Sequence, residues 1–88
     1  VRQVELDPIP AARLDSLHDA QPKVALALEE SLDWIEAEPV DVRARRRRFS
    51  NGMRAIVRAV AGEEWLILWE EDPPGQPVVR FLGETQSL

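Results

Sequence analysis

Residues 53–70 read MRAIVRAVAGEEWLILWE, two runs of aliphatic, β-branched and aromatic residues separated by one glycine, Gly62. Such runs fit pleated strands, and a short glycine-bearing break between two of them is a hairpin signal. The reading is a strand over 53–61, a tight turn around Ala61-Gly62-Glu63, and a strand over 64–70. A third run, PVVRFL at 77–82, follows a connection dense in turn residues, Glu71-Asp72-Pro73-Pro74-Gly75-Gln76. Short connections join antiparallel neighbours, so this half of the chain is expected to be a three-stranded meander. Alternation then sorts the faces. Ala55, Val57 and Ala59 align with Trp65, Ile67 and Trp69 and with Val79 and Phe81 as an apolar wall for a core. The opposite face is expected to carry Arg54, Ile56, Arg58 and Val60, then Leu66, Leu68 and Glu70, then Val78, Arg80 and Leu82. Trp65 and Trp69 thus read as core anchors, not as platforms for stacking bases.

Working back from the meander, the charge pattern comes first. Residues 43–58, RARRRRFSNGMRAIVR, hold seven arginines and no acid, while the rest of the chain carries four basic residues against sixteen acidic ones. The formal net charge of −5 therefore hides a basic stretch of about +7, a pattern that points to a polyanion or an acidic protein partner.

Further back, the helical period replaces the strand period. Val24, Ala27, Leu28, Leu32 and Ile35 form one apolar stripe, with Pro22 at the start and Pro39 past the end. Trp34 lies at the stripe's edge and reads as packing. Ala11, Leu14 and Leu17 give a shorter first helix ending near His18-Asp19, and residues before Pro8 alternate as a short strand. One domain over residues 1–88 follows from the length, which suffices for a single core. The fold class is α+β, β-α-α-β-β-β, with two helices packed on one face of a small, mainly antiparallel sheet.

Several chemistries are excluded or disfavoured. There is no cysteine, hence no disulfide and no thiolate metal site. No apolar run approaches the roughly 18–20 residues that span a bilayer, and the first residues lack an apolar leader core, so a cytoplasmic location is expected. There is no glycine-rich phosphate loop, no metal-ligand spacing and no nucleophile with a nearby histidine. Glu70, Glu71 and Asp72 sit at a turn and read as solvated, and no metal or cofactor is expected. His18, the single histidine, reads as a surface group.

The order and length of the elements resemble the RelE/ParE superfamily of bacterial type II toxins. VRQVELDPIPAARLDSL resembles the family's first strand and first helix, RRRRFSNGMRAIVRAVAGEEWLILWEED its basic approach and central hairpin, and VVRFLG its last strand. The resemblance implies a cytosolic toxin held by an antitoxin. RelE-like members cut messenger RNA on the ribosome; ParE-like members poison DNA gyrase. By that resemblance Arg58, Arg80 and Arg54 would stabilise charge at the cleaved phosphate, and Arg45, Arg46, Arg47 and Arg48 would hold RNA phosphates. An acidic, amphipathic antitoxin segment would lie against Ile56, Val60, Leu66 and Leu68. The chain departs from the RelE-like pattern at Ile56 and Leu66, where basic residues are typical, and at Glu84-Thr85-Gln86. It also contains no tyrosine, and arginine is a poor proton acceptor. Three functions are therefore set side by side: a translation-blocking toxin that binds or cleaves messenger RNA, a gyrase-binding toxin without chemistry, and a non-toxic binding module.

Overall fold

The structure is a computed structural model that describes residues 4–37, 47–48 and 52–87, with backbone alone for Arg47, Arg48 and Ser87. Its elements run β1 (Glu5–Leu6), α1 (Pro8–Ala20), α2 (Pro22–Glu36), β2 (Arg47–Arg48), β3 (Arg54–Val60), β4 (Glu63–Glu71), β5 (Pro77–Glu84) and a closing 3-10 turn, Thr85–Ser87. They form an α+β unit whose five-stranded sheet has the order β1-β5-β4-β3-β2. The β3-β4-β5 meander is antiparallel, and β1 joins the edge of β5 in parallel.

Helix α1 starts at Pro8, earlier than the apolar period suggests. Prolines are tolerated in a first turn because the amides there have no intrahelical acceptor to lose. The extended Asp7 supplies the turn, its carbonyl accepting from the amide of Ala11 at 3.0 Å. Pro22 keeps Gln21 out of the helical region, so the chain breaks there and α2 begins at once. Val24, Ala25, Leu28, Ser31 and Ile35 of α2 are buried. With Leu17 of α1 they close over Ile56, Trp65, Ile67, Trp69, Val79 and Leu82 of the sheet.

Those sheet residues correct the expected facing of β3. In the register, Arg54 lies opposite Trp69, Ile56 opposite Ile67, and Arg58 opposite Trp65. Residues directly opposite share a face, so Arg54, Ile56, Arg58 and Val60 belong to the helix-covered side. Ala55, Val57 and Ala59 belong to the other. The cause is the turn. Only Ala61 and Gly62 lie between the paired Val60 and Glu63, at φ values of 53° and 83°. This is the two-residue hairpin favoured by strand twist, and adding or removing one turn residue exchanges the faces of a whole strand.

A second irregularity resets β5. Leu68 pairs with Phe81 but Trp69 pairs with Val79, leaving Arg80 as the extra residue of a bulge. Val79 and Leu82 therefore both face the helices, and Phe81 does not.

The turn makes a direct prediction. Ala61 holds a left-handed conformation that costs an L-residue about 1 kcal/mol, so Ala61→Gly should raise stability by up to about that amount in chemical denaturation. A lower stability would mean that the hairpin closes differently.

Candidate functional site

The three arginines expected to converge on an open face do not meet. Arg58 points under α2. Its Nη1 donates to the Ala27 carbonyl at 3.0 Å and to Ser31 Oγ at 2.9 Å, and its Nη2 lies 3.0 Å from Glu30 Oε1. The guanidinium also stacks 4.5 Å from the centre of the Trp34 ring. Ser31 is wholly buried, and its hydroxyl both accepts from Arg58 and donates to Ala27 O at 3.1 Å, which satisfies it. Arg58 is thus the polar tie between β3 and α2.

Arg54 lies on the same covered side, two turns of the pleat away. Its guanidinium sits 4.8 Å from the Trp69 ring centre, with Nη1 3.6 Å from Glu71 Oε1. Arg80 is elsewhere again, at the end of the sheet where β1, β4 and β5 meet. Its Nε donates to Glu70 Oε2 at 2.8 Å, Nη1 to Asp7 Oδ1 at 3.1 Å and Nη2 to Asp72 Oδ2 at 2.9 Å. These contacts push its pKa above the ordinary arginine value. The Glu70 hydrogen bond is the main cause; desolvation opposes it, and the charges of Asp7 and Glu70 add to it. A raised arginine pKa keeps the cluster's contribution intact at every pH below the unfolded value, and loses it only as alkali passes the folded one. Glu70, Glu71 and Asp72, expected to be solvated turn carboxylates, serve as counter-ions. Glu71 Oε2 also accepts the Gly75 amide at 3.1 Å.

Of the four residues expected to touch an antitoxin, Ile56 is buried in the core and Val60 packs against it. Ile56 belongs to no open surface, and half-buried Val60 lines a dent beside Pro22 and Lys23 at the start of α2, away from the uncovered face. Leu66 and Leu68 do face away from the helices, opposite Val57 and Ala55 on β3 and Gly83 and Phe81 on β5. Arg45 and Arg46 lie outside the described residues. Arg47 and Arg48 are described only by backbone pairing, with Ala55 and Arg54. His18 Nε2 lies 2.7 Å from Glu29 Oε1 and links the two helices, both side chains being about half exposed.

What remains on the uncovered side is apolar. Of the helices, α1 reaches its edge, where Arg13 lies against Gly83. Ala55, Leu66 and Val78 are buried, while Val57, Leu68 and Phe81 stay half-buried in the middle of the sheet. Glu64 and Glu70 mark the two ends of β4 on this side. The face offers area and shape, and the proton acceptors described on it include the carboxylates of Glu64 and Glu70 at the ends of β4, the latter paired with Arg80.

No family model matches the chain, and neither curated proteins nor solved structures give a match. The geometry alone therefore defines the class, an α+β domain with helices over one sheet face and, among the described residues, no helix laid across the apolar opposite face.

Proposed function

We propose that this chain is a RelE/ParE-like toxin-fold protein that acts by binding a protein partner through its uncovered sheet face, with no nuclease chemistry of its own. The observation that supports it most is the apolar character of that face, where Val57, Leu68 and Phe81 are left half-buried. Covering each of them would contribute on the order of 1 kcal/mol, the usual driving force of a protein interface. RNA cleavage would need free cations and a proton acceptor beside the scissile phosphate. Arg54, Arg58 and Arg80 instead have acidic side chains as partners and lie in three separate places.

The partner class that the resemblance implies is an antitoxin segment, with half-buried Leu68 kept as a contact on this face, Leu66 buried beside it, Val60 placed at the start of α2 and Ile56 withdrawn into the core. DNA gyrase is the target it implies for a ParE-like protein. The order strand, helix, helix, meander fits this reading, as does the apolar face.

The test adds the purified chain to translating ribosomes and, separately, to a gyrase supercoiling reaction. Messages are expected to stay full length; new 5′ ends that depend on the added chain would overturn the reading. Inhibition of supercoiling that disappears in Leu68→Asp would identify gyrase as the partner at this face.

A further inference from the structure

The corner where α1 passes the free end of β5 holds a feature that the sheet face alone does not explain. β1 pairs with β5 only at Val78 and Val79, so beyond that point this edge of β5 lies beside α1. Gly83 sits there, opposite Leu66 and therefore on the uncovered side. A Cβ at Gly83 would stand 2.9 Å from Arg13 Nη1 and 3.2 Å from Phe81 Cζ. A guanidinium from the helix and the edge of a ring thus close over the glycine together, and a side chain would displace one of them.

Arg13 is exposed, and among the arginines whose side chains are described it is the one whose guanidinium makes no hydrogen bond or ion pair with a described residue. The chain is rich in acids, yet no described carboxylate reaches it. Beside it, Pro8, Ile9, Ala12, Arg13 and Ser16 line an open dent of about 400 Å³. Ile9 is 75% exposed there and gives the dent an apolar wall.

We propose that this corner docks an acidic polypeptide segment of a partner protein. One carboxylate pairs with the Arg13 guanidinium above Gly83, and a neighbouring aliphatic side chain enters the dent beside Ile9. Charge complementarity selects the occupant: a planar, uncommitted guanidinium matches a carboxylate in two parallel hydrogen bonds, and the apolar walls add area next to it. A nucleic-acid phosphate would satisfy the guanidinium but would leave the apolar dent unused. This inference rests on the partner-binding reading and says what one edge of the bound segment carries.

The experiment is an amide-shift titration of the full chain with the acetylated, amidated peptide Leu-Glu-Leu-Leu-Glu. The same peptide with glutamines and a short oligouridylate are run beside it. The glutamate peptide is expected to shift Ala12, Arg13, Phe81 and Gly83, and the glutamine peptide to bind at least tenfold more weakly. Arg13→Ala should lose the same factor with α2 and β4 signals unmoved, and Gly83→Ala should reproduce the loss by displacing the guanidinium. Equal binding of both peptides, binding indifferent to Arg13→Ala, or preferential binding of the oligouridylate at these amides would overturn the proposal. If the peptide shifts Leu66 and Leu68 without regard to Arg13, the corner fails while the partner-binding reading stands. If no peptide shifts either surface, both fail.

Discussion

Arg58→Ala should lower the melting temperature by about 10–20 °C, corresponding to roughly 2–3 kcal/mol in a domain of this size. The side chain is 21% exposed and makes two hydrogen bonds, one ion pair and a ring contact, all to α2. Its removal leaves the Ser31 hydroxyl and the Trp34 ring facing a hole. Hydrogen bonds from a charged donor are each worth about 1.5–3 kcal/mol, and solvent around the half-open Glu30 end reduces the sum. Arg58→Lys should recover only part of the loss, because an ammonium cannot hold the fork to Ala27, Ser31 and Glu30 while lying flat on Trp34. The measurement is thermal unfolding followed by circular dichroism. A variant that melts with the parent would show Arg58 outside the core, and would return it to the set of candidate catalytic groups.

The second large effect concerns two adjacent residues. Ile56→Ala should cost about 3 kcal/mol and Val57→Ala less than about 1 kcal/mol in urea unfolding. Ile56 is 1% exposed and packed between the helices and Ile67, so its truncation opens a cavity. Val57 is half-buried on the side away from the core, where neighbours and water fill in for lost methyl groups. The facing read from the sequence implies the opposite order. Equal costs would mean that both faces of β3 are covered.

Much of the architecture is legible from residue pattern alone, and the points of failure are specific. The apolar stripe of α2, the three C-terminal strands and the core roles of Trp65 and Trp69 follow from periodicity and turn residues, and the structure has them. Periodicity does not, however, tell a two-residue turn from a three-residue one. Ala61-Gly62-Glu63 as the turn gives one facing for β3; Ala61-Gly62 gives the other. Every side chain of that strand changes sides between the two.

The bulge at Arg80 has the same character. Nothing local marks it, and it moves Phe81 from the expected core to the open side. Arginines misled for a different reason. A strand position holding arginine looks solvent-facing, yet Arg54 and Arg58 lie on the covered side with their heads over Trp69 and Trp34 and beside carboxylates. The Arg13–Gly83 contact joins the first helix to the last strand and leaves no trace in either segment. Only the unexplained glycine after Leu82 hints that something approaches closely.

The central claim is that β3 presents its even-numbered residues to the helices and its odd-numbered residues to the opposite, apolar sheet face. Nuclear Overhauser contacts in the labelled chain test it most directly. The account predicts cross-peaks from the Arg58 side chain to the Trp34 ring, and none from Val57 or Ala59 to any residue of α2. Strong contacts between Val57 and the buried side of α2, with Arg58 silent toward Trp34, would contradict it.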